Sequence, residues 1–156
     1  MAKKSLVLSS SPAETRRLAG QLAEKISRQK NGKNAAVITL DGHLGAGKTV
    51  FAKGFAYGLK IRKTVTSPTF IIFKTYKLAK TGNFQNFIHV DAYRLKKISE
   101  LKTLKFQELL DNPQNIILIE WADNIKKIIP KNALRLKIHS GQKEKERIFE
   151  SFNNNF

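Results

Sequence analysis

The feature that most constrains the fold is a glycine-rich stretch at residues 42–49, which lies between an apolar run and a helical pattern. It reads Gly-His-Leu-Gly-Ala-Gly-Lys-Thr and fits G-x-x-x-x-G-K-[ST] at every fixed position. The preceding run, residues 35–40, has the length of a buried strand, and residues 48–59 have helical spacing. A strand, a glycine turn and a helix in this order typically bind a polyphosphate with backbone N–H groups and the positive end of the helix. The sequence therefore predicts a nucleotide site, the alternative being a glycine turn with an unrelated lysine.

Two further parts of such a site follow from the same pattern. Lys48 is expected to reach the β- and γ-phosphates, and the Thr49 hydroxyl is expected to ligate Mg²⁺. Hydrolysis also needs a carboxylate near the magnesium ion, in addition to the Thr49 hydroxyl. Two candidates follow strand-like runs: Asp91 after residues 87–90 and Glu120 after residues 116–119. In a parallel sheet both carboxylates would emerge beside the loop, although either could instead cap a helix or pair with Arg94. The predicted nucleotide-binding residues of the loop are Gly42, His43, Leu44, Gly45, Ala46, Gly47, Lys48 and Thr49.

Strand-like and helical patterns alternate along the chain. Apolar runs predict strands at residues 6–8, 35–40, 70–73, 87–90, 116–119 and 134–138, the first at a sheet edge. Helical spacing predicts helices at residues 12–29, with Ser11 as N-cap and Glu14 closing a capping box, and at residues 48–59 and 99–110. We expect an α/β P-loop NTPase fold with a mostly parallel central sheet flanked by helices. Residues 1–140 would form this domain, and residues 141–156 a charged, partly frayed C-terminal tail.

Composition excludes several classes of protein. The 156 residues contain no cysteine, which rules out a disulfide scaffold, a thiolate metal site and a cysteine nucleophile, and the three histidines match no zinc spacing. The formal net charge of +17 predicts attraction to polyanions, but lysines scattered along the chain equally fit a compositional bias. No apolar run is long enough to cross a bilayer, and residues 1–10 are too weakly apolar for a signal peptide. We expect a cytoplasmic protein with no membrane partner.

Four segments together resemble one family. They are the glycine-rich loop, Val-Thr-Ser-Pro-Thr-Phe at residues 65–70, His-Val-Asp-Ala-Tyr-Arg-Leu at residues 89–95, and Leu-Ile-Glu-Trp at residues 118–121. In order and spacing, from about residue 6 to residue 138, the chain resembles the TsaE (YjeE) family of bacterial P-loop ATPases. The glycine-rich loop alone indicates only an NTPase, whereas the combination is highly specific.

The resemblance implies a function and a role for each matching residue. It implies that residues 1–140 form an ATPase domain, acting with TsaD and TsaB in making N6-threonylcarbamoyladenosine at position 37 of tRNA, with tRNA reached through the complex. ATP and Mg²⁺ would be bound, with Thr49 and Glu120 on the metal. Asp91 would position or activate water, with Lys48 as the second catalytic residue. Ser67 and Thr69 would belong to a switch segment that contacts the γ-phosphate, the alternative being a proline turn that enters the strand at Phe70.

Several alternatives stay open. Trp121 is expected beside the site, against the partner protein or in the core. Arg94 either stabilises transition-state charge or pairs with Glu100 or Asp91. His43 departs from the family, which usually has an acidic or amide residue there. Because that position supplies mainly backbone to the loop, we expect binding to survive. The competing functions are a small-molecule P-loop kinase and an RNA-binding module with incidental NTPase activity, although the arginines of a kinase lid are not clustered here.

Overall fold

The computed structural model describes residues 4–79 and 82–152, over which seven strands alternate with helices. No helix within these residues is long and apolar enough to cross a membrane. The elements are β1 (Ser5–Ser9), α1 (Pro12–Ser27), β2 (Ala36–Asp41), α2 (Lys48–Gly58), β3 (Phe73–Lys77), β4 (Asn86–Asp91), α3 (Ser99–Thr103), α4 (Phe106–Asp111), β5 (Asn115–Glu120), a 3₁₀ helix (Ala122–Ile128), β6 (Leu134–Ser140) and β7 (Arg147–Ser151).

All seven strands form one sheet with the order β1-β7-β6-β2-β5-β4-β3. The four strands in its centre, β6, β2, β5 and β4, are parallel, whereas β3, β7 and β1 join antiparallel at the two sides. The predicted α/β fold with a parallel central sheet is confirmed. β2 lies in the centre and β1 at an edge, as expected from their sequences.

Helices cover both faces of the sheet. α1 and α2 pack on one face, and α3, α4 and the 3₁₀ helix pack on the other. In β5 successive residues point to opposite faces, so that Ile116 and Leu118 enter the first core and Ile117 and Ile119 the second. Burial on both faces explains why the central strands read as unbroken apolar runs.

Helix α1 starts as its sequence predicts. The Ser11 side chain accepts a hydrogen bond from the Glu14 N–H at 3.1 Å. The Glu14 carboxylate accepts from the backbone N–H of Ser10 at 2.8 Å rather than from that of Ser11, so the capping box is shifted by one residue. The helix ends at Ser27, two residues before the predicted boundary.

The predicted strand at residues 70–73 is wrong for its first three residues. The Ile71 N–H donates to the Pro68 carbonyl at 3.0 Å, which closes a turn, and Ile72 has a φ of 68°. Phe70 and Ile71 are 83% and 60% exposed, and β3 begins only at Phe73. Apolar composition suggested a strand, but the left-handed residue prevents extended pairing there.

The predicted helix at residues 99–110 is two short helices. Lys105, between α3 and α4, has a φ of 52°, which interrupts helical hydrogen bonding. Leu101, Phe106 and Leu110 all point into the second core. The five-residue spacing between the first two does not fit one helical face, and the break at Lys105 absorbs the extra residue.

The C-terminal tail is also more ordered than expected. Residues 147–151 form β7, which pairs with both β1 and β6 and places Phe149 in the core. The predicted boundary at residue 140 is therefore wrong, because the sheet continues beyond it. The predicted fraying of residues 153–155 lies outside the described residues.

Candidate functional site

A cleft of about 460 Å³ opens at the carboxyl edge of the parallel strands. It brings together the start of α2, the segment before β3, and the ends of β4 and β5. Of the predicted loop residues, Ala46 is fully buried, and Gly42 and His43 contribute carbonyl oxygens to Lys48. The cleft is lined by Leu44, Gly45, Gly47, Lys48, Thr49, Val50, Ser67, Thr69, Asp91, Tyr93, Glu120 and Trp121.

The glycine-rich loop turns sharply into α2. Gly45 and Gly47 have φ values of 81° and 101°. Gly47 is the N-cap of α2 and supplies no side-chain cap, so the first N–H groups of the helix are left without a capping side chain. A loop of this geometry can bind an anion through backbone N–H groups and the helix dipole.

Lys48 lines the cleft, and its side chain is buried there. Its Nζ donates to the carbonyl oxygens of Gly42 and His43 at 2.6 and 2.8 Å, and lies 3.8 Å from the ring centroid of Trp121. Burial lowers the pKa of Lys48, and nearby carboxylates, Glu120 foremost, oppose that change. The ammonium is thus already positioned by the loop that would surround a phosphate.

Asp91, at the end of β4, is 4% exposed and fully engaged. Its Oδ2 accepts hydrogen bonds from the hydroxyls of Ser67 and Thr69, both at 2.8 Å. Its Oδ1 accepts from the Tyr93 N–H at 2.9 Å. The segment before β3 is therefore bound to this carboxylate.

Glu120, at the end of β5, lies beside Asp91 in the parallel register of β4 and β5. It is 2% exposed, and its Oε1 is 2.7 Å from Nε2 of His89, which is itself completely buried. His89 Nδ1 has no hydrogen-bond partner among the described residues. This single contact through Nε2 fixes the direction of the Glu120 carboxylate and does not use its Oε2.

Two residues with open alternatives, Trp121 and Arg94, lie near the cleft. Trp121 lines the cleft and packs against Tyr93, with ring centroids 4.8 Å apart, so it is not simply a core residue. The Arg94 guanidinium lies 4.4 Å from the ring centroid of Phe70. No ion pair joins it to Glu100 or Asp91 within the described residues, and it does not line the cleft.

Three residues near the site were given no role by the sequence. His89 was signalled by its place two residues before Asp91, on the same face of β4. Asp41 ends β2, accepts from the Asp123 N–H at 3.0 Å, and has a pKa raised by burial. Arg147 donates from Nε to the Ala46 carbonyl at 3.0 Å, although it lies 101 residues away, in a segment assigned to the tail. No local pattern marks that last contact.

The donor set suits magnesium bound together with a nucleotide. No three His, Cys, Asp or Glu side chains converge on one point in the described part of the chain. Mg²⁺ usually binds one or two carboxylates plus substrate phosphates and water rather than an all-protein cage. A hydroxyl from Thr49 and the buried carboxylate of Glu120, facing one cleft, fit that requirement.

Comparisons with known proteins agree with this arrangement. Residues 9–149 match the model of the family described as threonylcarbamoyl adenosine biosynthesis protein TsaE. The chain is 39% identical over 125 residues to the tRNA threonylcarbamoyladenosine biosynthesis protein TsaE of Bacillus subtilis, covering 80% of this chain and 75% of the relative. It is 36% identical over 103 residues to the TsaE of Streptomyces coelicolor, covering 65% and 67%.

A solved structure shows the same fold. The crystal structure of Bacillus subtilis YdiB superposes with a TM-score of 0.75 at 32% identity, covering 97% of this chain and 86% of that one. The P-loop fold is thereby confirmed over nearly the whole chain. With the family match spanning residues 9–149, the chain belongs to the TsaE family, whose members take part in threonylcarbamoyladenosine biosynthesis in tRNA.

Proposed function

We propose that this chain binds Mg-ATP in the cleft and hydrolyses it as the ATPase of the system that makes N6-threonylcarbamoyladenosine at position 37 of tRNA. It would act in the cytoplasm with TsaD and TsaB, and reach tRNA through that complex. The observation that carries the proposal is the convergence of Lys48 with the buried carboxylates of Asp91 and Glu120 on one cleft. Family membership supports the tRNA pathway.

In this proposal the loop and α2 bind the polyphosphate. The N–H groups of residues 45 and 47–49 and the positive end of α2 would face the phosphates, and Lys48 would neutralise the β- and γ-phosphates. The Ala46 N–H instead donates to the His43 carbonyl within the loop. Its present bonds to two loop carbonyls keep the ammonium at the cleft, where phosphate oxygens can replace them.

Glu120 and Thr49 would hold the metal. Mg²⁺, when bound, neutralises charge that develops on the phosphate oxygens. The chain's own contribution is orientation. His89 fixes the Glu120 carboxylate through Oε1, and the start of α2 places Thr49 at the cleft.

Asp91 would position the attacking water. The water oxygen attacks the γ-phosphorus while the bond to the bridging oxygen breaks, giving ADP and phosphate. In the present structure Asp91 Oδ2 is occupied by Ser67 and Thr69. Movement of these hydroxyls toward the γ-phosphate would free Oδ2, so the switch segment and the catalytic carboxylate are coupled.

This coupling predicts slow hydrolysis by the isolated chain. The cleft is open, and Asp91 remains engaged until residues 67–69 move. A partner surface that closes the cleft and orders this segment would raise the rate.

The test is steady-state release of phosphate at saturating Mg-ATP, measured for the chain alone and with excess TsaD and TsaB. We expect a low rate alone and a higher rate with the partners. A fast rate that the partners leave unchanged would contradict the proposal. Formation of ADP without release of inorganic phosphate, seen only when a small phosphate acceptor is added, would identify a kinase instead.

A further inference from the structure

One cationic side chain outside the predicted site contacts the phosphate-binding loop directly. Arg147, the first residue of β7, donates from Nε to the Ala46 carbonyl at 3.0 Å and from Nη2 to the Gly45 carbonyl at 3.4 Å. Its Nη1 donates to the carbonyls of Glu144 and Glu146, both at 2.7 Å. One guanidinium thus joins the loop to the turn between β6 and β7.

These bonds set the direction of the loop peptides. A trans peptide is planar, so its C=O and the following N–H point in opposite directions. Because the Ala46 carbonyl faces Arg147, the N–H of Gly47 points away from the guanidinium. Gly47 lines the cleft, so its N–H is directed to the side where a phosphate would lie.

The turn that carries Arg147 is itself firmly bonded. The Gly141 N–H donates to the Glu146 carbonyl at 2.9 Å. The Glu146 carboxylate accepts from the N–H groups of Gln142 and Lys143 at 3.1 and 3.0 Å. This segment can therefore hold the guanidinium in place against the loop.

We infer that Arg147 is a positioning residue for nucleotide binding, which orients the Gly47 N–H through the Ala46 carbonyl. Its contact with the Gly45 carbonyl supports the turn in which the Ala46 N–H donates to the His43 carbonyl at 3.1 Å. The inference rests on the proposed nucleotide site. Arg147 acts behind the loop, on the carbonyl side, and not on the γ-phosphate. Removal of the Arg147 side chain should weaken the binding of every nucleotide whose phosphates contact the Gly47 N–H.

The experiment compares Arg147→Ala with Lys145→Ala, which removes the same charge from an exposed position in the same turn. Binding of Mg-ADP and of Mg-ATP is measured by calorimetry for both variants and for the unaltered chain. Arg147→Ala loses both hydrogen bonds to the loop carbonyls, and the less ordered loop is expected to bind both nucleotides about tenfold more weakly. Lys145→Ala should bind as the unaltered chain does.

Chemical rescue distinguishes positioning of the loop by the guanidinium from a general effect of Arg147 on folding. Ethylguanidinium at millimolar concentration should restore part of the nucleotide affinity of Arg147→Ala and leave Lys145→Ala unchanged. If Arg147→Ala does not fold, Arg147→Lys keeps the charge but loses the planar fork, and should fold and still bind both nucleotides more weakly.

Three results would overturn the inference. They are unchanged affinity in the folded Arg147 variant, a loss much larger for Mg-ATP than for Mg-ADP, and a loss that ethylguanidinium does not reverse in Arg147→Ala. The second would place the guanidinium on the γ-phosphate. If the unaltered chain bound neither nucleotide, the proposed function itself would fail, and this inference with it.

Discussion

At the scale of single residues, each buried charged group of the site has its own hydrogen-bond partners. Lys48 is held by carbonyl oxygens, Asp91 by hydroxyls and an N–H, and Glu120 by His89. Buried charges are costly unless they are paired or hydrogen-bonded. The two acids lie side by side in the sheet but have different partners, so their substitutions should have different effects.

Glu120→Gln is expected to weaken magnesium-dependent nucleotide binding by about tenfold or more, since the proposed metal ligand would lose its charge. Asp91→Asn is expected to leave binding nearly intact and to lower turnover, because the carboxylate is proposed to act on the attacking water and not on the bound nucleotide. Titrations with and without Mg²⁺, paired with phosphate-release rates, measure both effects. Exchanged phenotypes would show that the roles of the two acids are reversed.

At the scale of elements, α1 and α2 approach closely enough that glycine is required between them. A Cβ on Gly54 of α2 would collide with the backbone of Arg16 in α1, including its carbonyl oxygen. Backbone cannot move aside as the end of a side chain does, so the helices would have to separate. α2 also carries Lys48 and Thr49, which makes this packing part of the site's support.

Gly54→Ala is therefore expected to lower the free energy of unfolding by about 1–3 kcal/mol, the usual cost of overpacking, despite alanine's better helix propensity. Gly32→Ala is the matched control, because a Cβ there meets nothing closer than 4.0 Å. Urea unfolding followed by circular dichroism compares the two variants. Equal stability of Gly54→Ala and the unaltered chain would mean that the helices do not depend on this contact.

Elements with one dominant signal were predictable from sequence. The strand before the glycine-rich loop and the run that ends at Glu120 are apolar on both faces, and α1 carries its own cap. The failures occur where tertiary contacts override local pattern. Phe70 and Ile71 are apolar yet exposed, because their segment turns to let Ser67 and Thr69 reach Asp91.

The site was predictable in its residues but not in its connections. The loop motif and the acids that end strands are local patterns. The cleft is lined by both acids and by five of the eight predicted loop residues, but not by Gly42, His43 and Ala46. The bond between His89 and Glu120 joins two strands, and that between Arg147 and the loop spans 101 residues. Contacts of that kind depend on strand order and register, which one sequence does not specify.

At the scale of the whole molecule, the net charge of +17 needs a test of its own. Direct contact of this charge with tRNA predicts affinity that falls steeply with salt, by about 10³-fold between 50 and 200 mM if six phosphates are neutralised. Filter binding of the chain to tRNA over that range measures the slope. Salt-independent binding, or no binding at low salt, would favour amino-acid composition as the origin of the lysines.

The chain contains one tryptophan, and it lies in the cleft against Lys48. Phosphates that draw Lys48 away from the Trp121 ring should change its fluorescence, so this residue reports on the site directly. The matched variants are Lys48→Ala and Lys53→Ala, the latter on an exposed position of the same helix.

The central claim is that the cleft binds a nucleotide. Its most direct test is titration of the unaltered chain, Lys48→Ala and Lys53→Ala with Mg-ATP, followed by fluorescence and by calorimetry. We expect saturable binding to the unaltered chain and to Lys53→Ala. Binding to Lys48→Ala should be about 10–100-fold weaker, since a charge-assisted contact to phosphate is lost. Equal affinity of Lys48→Ala and the unaltered chain, or no binding to either, would contradict the assignment of this cleft as a nucleotide site.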